Sequence, residues 1–195
     1  MSWVDGVVNS SLRVGRRRVI ALLALVASTG CVSVAPVSDM ASTLAPTGKL
    51  RIGVYPGSAT SLVRGPKGDA RGVSVDVGRA LAERLGVGYE LVEFPRPAEV
   101  VAGIKDGKAD FTITNATAAR ARDVDFTAPV IAIELGFLVP PGSRFMSIEE
   151  VDREGVRVGV TQGSTTSTSL PSRLKKATVV TAPDVDAAIA MLRDG

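Results

Sequence analysis

Residues 75–86 read VDVGRALAERLG and lie between two short apolar segments, LRIGVY at 50–55 and YELVEF at 89–94. The apolar side chains of the middle segment recur at the spacing of one helix face: Val77, Ala80, Leu81 and Leu85. Gly86 follows as a helix stop, and the flanking segments have the length and composition of strands. A helix that joins two successive strands favours a parallel pair with a right-handed crossover. The stretch therefore predicts an α/β fold with mostly parallel sheets.

The same alternation continues after the second strand. We predict a helix at 96–107, where Pro97 suits the first turn, then a strand at 109–115 and a long apolar strand at 130–140. These elements complete a first set of strands and helices.

A second set follows a PPGS loop. Here we predict a strand at 156–160, a glycine turn into a polar helix start, a strand at 177–182 and a final helix at 184–195. Each set contains a helix that ends in Asp-Gly, but a predicted strand follows only the first of them. The sequence thus predicts two lobes, 48–139 and 140–195, with the second lobe incomplete.

Residues 1–31 are predicted to be an export signal. A basic GRRR precedes the apolar run VIALLALVA, which is far shorter than the roughly 20 residues needed to span a bilayer. Small residues then lead to Cys31, the only cysteine, so an internal disulfide is excluded. This end resembles the bacterial lipoprotein box, in which the cysteine receives the lipid, although Ser28 stands where Leu is usual; a plain cleaved signal is the alternative. RRRVI also resembles a twin-arginine signal, with an ordinary basic region as the alternative.

Either export route places the mature protein outside the cytoplasm, in the periplasm or at the cell surface. A lipid at Cys31 would tether it to a membrane without spanning it. Residues 32–47 are small, polar and proline-bearing, and they show neither helical nor strand periodicity. We predict that they form a linker.

The excess of positive charge is confined to the predicted signal. Of the 23 basic and 20 acidic residues in the chain, four arginines and one aspartate lie within 1–31, so nineteen of each remain beyond it. The exported part is therefore neutral, and its charge does not favour a nucleic-acid partner.

Six stretches from residue 48 onward stand in the order and near the spacing of one family: GKLRIGV, GVSVDVGRALAERLGV, IKDGKAD, TAARARDVDFTAPV, LGFLVPPGS and VRVGVTQGSTTS. Together they resemble the bacterial type 2 periplasmic solute-binding proteins of family 3, which deliver polar amino acids to ABC importers. The resemblance implies two α/β lobes joined by a hinge, with a ligand in the cleft and closure on binding. It implies an ABC permease as partner, and we expect a monomer without a cofactor. Because complete members continue beyond the second Asp-Gly helix, the chain resembles a C-terminally truncated member.

Arg120 matches the family arginine that binds the α-carboxylate of the ligand. A guanidinium presents two parallel donors to a carboxylate and stays charged in a cleft, whereas a surface arginine, as expected for Arg122, is the alternative. Just upstream, Asn115 and Thr117 follow a strand end, where their polar side chains and backbone amides could hold the same carboxylate. Thr117 is equally placed to cap the helix that carries Arg120; we favour the cap for Thr117 and the ligand for Asn115.

The other candidate ligand contacts follow the first strand of each lobe: Tyr55, Ser58, Thr161, Ser164 and Thr165. Unpaired amides at the turn 163–165 favour an anion, with an ordinary hydroxyl-rich helix cap as the alternative.

Features that would define the ligand side chain are atypical. Many members carry an aromatic residue at the Ser58 position and another near Pro97, and this sequence has neither. Phe94 is interpreted as sheet core. The family carboxylate that pairs with the ligand ammonium would fall beyond the last residue, and Asp184 and Asp186 are interpreted as helix-start residues.

Three alternatives remain open. Some periplasmic dehydratases resemble this fold, but the chain has no histidine, its cysteine belongs to the signal and no serine is placed beside a base, so we do not expect an enzyme. The same lack of His and Cys ligands argues against a metal site. A sensory domain of the same fold would report the ligand to a partner instead of feeding a permease. A nonfunctional truncation product is the third alternative.

Overall fold

The computed structural model describes residues 37–195, so the predictions for the export signal and for Cys31 lie outside the described residues. The helices are α1 (Val37–Leu44), α2 (Val73–Leu85), α3 (Pro97–Lys105), α4 (Ile148–Val151), α5 (Thr165–Arg173) and α6 (Val185–Asp194). The strands are β1 (Lys49–Val54), β2 (Val63–Arg64), β3 (Ala70–Arg71), β4 (Gly88–Glu93), β5 (Arg157–Thr161) and β6 (Thr178–Ala182). In this part of the chain, no helix combines the length and the apolar character needed to cross a membrane.

The first sheet region consists of α2, α3, β1 and β4. β1 and β4 pair in parallel, in a register that sets Leu50 opposite Tyr89 and Val54 opposite Glu93. Three side chains of β1 are completely buried: Leu50, Ile52 and Val54. α2 connects the two strands and packs on both, while α3 packs on β1. The parallel pair predicted from the stretch 75–86 is confirmed.

The buried face of α2 agrees with the predicted one at Leu85, and in part at Leu81, but differs elsewhere. Val77 and Ala80 are exposed, and the buried residues are Ser74, Val75, Gly78, Ala82 and Leu85. A Cβ atom at Gly78 would lie only 2.5 Å from Cδ1 of Ile52, so the missing side chain lets the helix approach β1 directly. The prediction gave weight to large apolar residues and therefore missed a face built by small ones. The helix ends as predicted, at Gly86 with a left-handed φ of 70°.

The second sheet region consists of β5, β6, α5 and α6. β5 and β6 pair in parallel, from Arg157 opposite Thr178 to Thr161 opposite Ala182. α5 joins the two strands, and α6 packs on both of them. The buried apolar residues of the pair are Val158, Val160 and Ala182. This second αβ set is present as predicted, whereas the lobe boundaries at 139 and 140 stay a prediction.

Two predicted strands in the middle of the chain are not formed as expected. Segment 109–115 makes one isolated parallel bridge, between Phe111 and Ile52, and the N–H of Gly53 donates to the Phe111 carbonyl at 2.8 Å. Residues 130–140 contain no strand. Their exposed large apolar side chains are Val130, Ile131, Ile133, Leu135 and Leu138. A strand needs a neighbouring strand to hydrogen-bond its backbone N–H and C=O groups, and no described strand pairs with this segment. The strand prediction for 130–140 was therefore wrong, because it was based on apolar composition alone.

The predicted linker contains a helix, because α1 covers residues 37–44 of the segment 32–47. Hydroxyl groups of Ser42 and Thr43 both donate to the Asp39 carbonyl at 2.9 Å. α1 contacts α2, and Ala45 behind it is only 4% exposed. Tertiary contact thus stabilises a helix whose polar residues have low intrinsic propensity.

Candidate functional site

Arg120 begins a single 3-10 turn, Arg120–Arg122, directly after the segment that lies beside β1. Its backbone N–H donates to Oγ1 of Thr117 at 3.2 Å. This bond is of the capping type favoured for Thr117, although the residue that directly precedes the 3-10 turn is Ala119. The turn holds the Arg120 side chain half-buried, whereas Arg122 is exposed.

Within the described part of the chain, the guanidinium of Arg120 meets only neutral acceptors. Nη1 donates to Oγ1 of Thr114 at 2.6 Å and to the Asn115 carbonyl at 3.3 Å, and Nη2 donates to the Gly163 carbonyl at 3.4 Å. None of the ion pairs among the described residues includes this arginine. Partial burial lowers the pKa of Arg120, and the phenol of Tyr55 opposes this effect. The result is a cation that has lost part of its water and has no carboxylate partner among residues 37–195.

Asn115 connects the Arg120 turn to the second sheet region. Its Nδ2 donates to Oγ1 of Thr165 at 2.9 Å, and Thr165 is the first residue of α5. The Gly163 carbonyl that accepts from Arg120 belongs to the same turn between β5 and α5. Three of the residues predicted from the sequence are therefore close to each other: Asn115, Arg120 and Thr165. Tyr55 affects the pKa of Arg120 through its charge but makes no hydrogen bond to these three side chains among the described residues.

The remaining predicted contacts serve local structure. Oγ of Ser164 accepts from the Ser167 N–H at 3.1 Å, so Ser164 caps α5, which is the alternative named for it. Ser58 shares a hydroxyl hydrogen bond of 2.8 Å with Thr60. Thr161 ends β5, and its carbonyl accepts the N–H of Ser164 at 3.1 Å. In the described part of the chain, none of these side chains is hydrogen-bonded to Arg120.

The two sheet regions also touch through glycines. A Cβ atom at Gly57 would lie 2.7 Å from Cβ of Val185, and one at Gly163 would lie 2.7 Å from Cβ of Ala98. Beside the first contact is a cavity of about 220 Å³, lined by Pro56, Pro95, Asp184, Val185 and Asp186. This volume is below the roughly 300 Å³ at which typical ligand pockets begin.

Two interpretations of residues near this contact are confirmed. Oδ1 of Asp184 accepts the Ala187 N–H at 2.7 Å and caps α6, as expected for a helix-start residue. Phe94 lies against Gly53 of β1 and Gly103 of α3, so it belongs to the packing between strand and helix.

Sequence reasoning missed two residues that the structure brings to this place: Thr114 provides an acceptor for Arg120, and Gln162 makes a contact between the sheet regions. Gly163 belongs to the turn that was predicted to favour an anion, but its carbonyl, and not its amide, is hydrogen-bonded to Arg120. Thr114 directly precedes Asn115, so its position after the predicted strand could have identified it. Within residues 37–195, no group of three or more His, Cys, Asp or Glu residues is placed to hold a metal ion.

Residues 50–194 match the family described as bacterial extracellular solute-binding proteins, family 3. No curated protein matches the sequence. Among solved structures, an ancestral amino-acid-binding protein described as a precursor of cyclohexadienyl dehydratase is 25% identical with a TM-score of 0.69; the match covers 82% of this chain and 70% of that one.

Two further structures share the fold. An amino-acid ABC transporter substrate-binding protein from Streptococcus pneumoniae, bound to L-arginine, is 24% identical with a TM-score of 0.68, over 78% of this chain and 66% of that one. An ABC transporter binding component from Wolinella succinogenes, in complex with lysine, is 24% identical with a TM-score of 0.67. The match covers 76% of this chain and 65% of that one. The chain thus spans about two thirds of the length of these proteins.

Proposed function

Because this chain belongs to the bacterial extracellular solute-binding proteins of family 3 and has their type 2 periplasmic-binding-protein fold, we propose that it binds a polar amino acid, or a related small carboxylate, at Arg120. The ligand would lie between the two predicted lobes, 48–139 and 140–195.

The observation that carries this proposal is the environment of Arg120. Its guanidinium is partly desolvated and, among the residues that the structure describes, donates only to neutral oxygens. A carboxylate would replace the long contact to the Gly163 carbonyl with a bidentate, charge-assisted pair. The Asn115 amide and the start of α5 at Thr165 are close enough to add neutral donors.

Calorimetric titration of the exported protein with the twenty L-amino acids tests the proposal, after a screen for ligands that raise its melting temperature. We expect at least one amino acid to bind, and Arg120→Gln to weaken that binding by at least about 30-fold, because truncating one side of a buried charge pair is costly. Arg122→Gln is the matched control and should bind like the unaltered protein. Binding that is unchanged in Arg120→Gln would contradict the proposed site.

We further propose that the bound amino acid is passed to an ABC permease. The two transporter components described above support this, since both are ABC transporter proteins solved with an amino acid. Uptake of the radiolabelled ligand into cells that lack the gene, complemented with the unaltered protein or with Arg120→Gln, measures transport. Binding without any effect on uptake would favour the sensory alternative.

The proposal includes export and a lipid anchor at Cys31. It is supported by the basic region, the apolar run and the small residues that precede this cysteine. Labelling of cells with radioactive palmitate should mark the protein in the membrane fraction, and Cys31→Ser should abolish the label. A labelled Cys31→Ser protein, or an unlabelled unaltered one, would contradict the anchor.

A further inference from the structure

A hydrogen bond away from Arg120 joins the two sheet regions. Arg96 directly precedes α3, and its Nη1 donates to Oε1 of Gln162 at 2.7 Å. Glu99, in the first turn of α3, accepts from Nε of the same guanidinium at 2.7 Å and also from Nη2. All three kinds of nitrogen in this guanidinium are therefore engaged. Glu99 directs the side chain of Arg96 towards Gln162.

Gln162 belongs to the turn that contacts Arg120. Its backbone N–H donates to the Ala182 carbonyl at 2.8 Å, which fixes it to the end of β6. The next residue is Gly163, whose backbone lies against Ala98 of α3 and whose carbonyl accepts from Arg120. The Arg96–Gln162 bond therefore holds this turn against the first sheet region beside the proposed carboxylate site.

The two arginines at this contact have different environments. Arg96 is neutralised by Glu99, whereas Arg120, in the region from residue 37 onward, donates only to uncharged oxygens. A ligand carboxylate is consequently attracted to Arg120, whereas the guanidinium of Arg96 is already bound to Glu99 and Gln162.

We propose that Arg96, Glu99 and Gln162 form a latch that favours contact between the two sheet regions and thereby raises ligand affinity without touching the ligand. Only the effect on affinity rests on the proposed function. A net hydrogen bond of ordinary strength corresponds to about a five-fold change in the equilibrium between contact and separation.

The latch can be tested without ligand by double electron–electron resonance. Spin labels would be attached to Glu83→Cys in α2 and Ser172→Cys in α5, both exposed positions, in a Cys31→Ser background. Removing the bond with Gln162→Ala should increase the ratio of long to short distances about five-fold. Gln162→Glu keeps an oxygen at the same reach and should retain the short distance.

A double-mutant cycle separates the latch from two unrelated effects. The combination of Arg96→Ala with Gln162→Ala should shift the distances no more than Arg96→Ala alone, because the bond is already absent. Unchanged distances in Gln162→Ala, or effects that simply add in the double variant, would overturn the latch. Circular dichroism melts of each variant show whether the fold is retained.

Calorimetry then measures the coupling to binding. With the amino acid identified in the screen, Gln162→Ala should bind about five-fold more weakly and Gln162→Glu at least as tightly as the unaltered protein. If no amino acid binds the unaltered protein, the proposed function fails while the distances still decide whether the latch exists. If an amino acid binds and Gln162→Ala changes neither distances nor affinity, the latch alone is refuted.

Discussion

Oγ1 of Thr114 accepts a hydrogen bond from Nη1 of Arg120 at 2.6 Å, across the bend between the segment beside β1 and the turn that Arg120 begins. Nη1 also donates to the Asn115 carbonyl, at 3.3 Å. These two acceptors fix one side of the guanidinium and direct the Nη2 side towards the turn that contains Gly163. Thr114 is therefore a positioning residue for the proposed carboxylate site.

We expect Thr114→Val to weaken amino-acid binding about ten-fold, because it removes the acceptor that orients Arg120 while keeping the shape of the side chain. Thr114→Ser retains the hydroxyl and should restore most of the affinity. Calorimetric titration of both variants checks this, and equal affinities of the valine and serine variants would show that the hydroxyl does not position the arginine.

Asp110 and Arg51 form the most buried ion pair in the described part of the chain. Nη2 of Arg51 lies 2.5 Å from Oδ1 of Asp110, and the side chains are 17% and 8% exposed. Both the backbone N–H and Nε of Arg51 donate to Oδ2 at 2.9 Å, and Asp110 raises the pKa of this arginine. The pair fastens β1 to the segment that follows α3.

Asp110→Ala should lower the melting temperature by about 5 °C or more, since it leaves a half-buried guanidinium without its partner. Asp123→Ala is the control, because it breaks the exposed pair with Lys105 and should shift the melt by no more than about 1 °C. Thermal denaturation followed by circular dichroism measures both shifts. Equal shifts for the two variants would mean that burial adds nothing to the Arg51 pair.

Gly78 allows α2 to lie on β1, so Gly78→Ala should destabilise the protein by about 1–2 kcal/mol. An alanine usually stabilises a helix by about 1 kcal/mol relative to glycine, but here its Cβ would be 2.5 Å from Cδ1 of Ile52 and would force repacking. At Gly159 in β5, a Cβ would meet no atom within 4 Å, so Gly159→Ala serves as the control. Urea denaturation gives both free energies of unfolding, and a stabilised Gly78→Ala would contradict the packing argument.

The order of strands and helices within each sheet region, β1, α2, β4, α3 and then β5, α5, β6, α6, was predictable because it depends on local periodicity. The face that a helix buries was not, since Gly78 creates the contact of α2 with β1 by being small. The prediction of a strand at 130–140 was wrong for a different reason. Its apolar composition suits a strand, but strand formation depends on a partner that local sequence does not identify.

In the candidate site, too, the features that depend on local sequence were predictable and those that depend on tertiary structure were not. Capping by Thr117 and Ser164 follows from their positions before a turn and a helix, so the sequence was sufficient. Arg96 and Gln162 are 66 residues apart, and no local pattern indicates that they meet. The neutral surroundings of Arg120 likewise depend on tertiary structure, because they require the turn at Gly163 to approach from the second sheet region.

The carboxylate of Asp152 is hydrogen-bonded to the residues directly before β6. These bonds make the stability of the second sheet region dependent on pH. The Asp152 carboxylate accepts three successive backbone N–H groups, from Lys175 at 2.9 Å, Lys176 at 2.7 Å and Ala177 at 3.0 Å. These bonds hold the pKa of Asp152 below its ordinary value of 3.8, and the bond from Ala177 has the largest effect. A depressed folded-state pKa gives stability that is complete above the unfolded value and is lost as the pH falls through the folded value.

Asp152→Asn should therefore be less stable than the unaltered protein at about pH 7, with a difference that shrinks once the pH falls below 3.8. Urea denaturation of both proteins at several pH values between about 7 and about 2.5 measures the difference. Asp125→Asn is the control, because Asp125 is exposed and makes no hydrogen bond or ion pair among the described residues. Other carboxylates titrate in the same range, but they are common to both proteins and cancel in the comparison. A difference that stays constant down to the lowest pH would show that the charge of Asp152 is not what holds the three N–H groups.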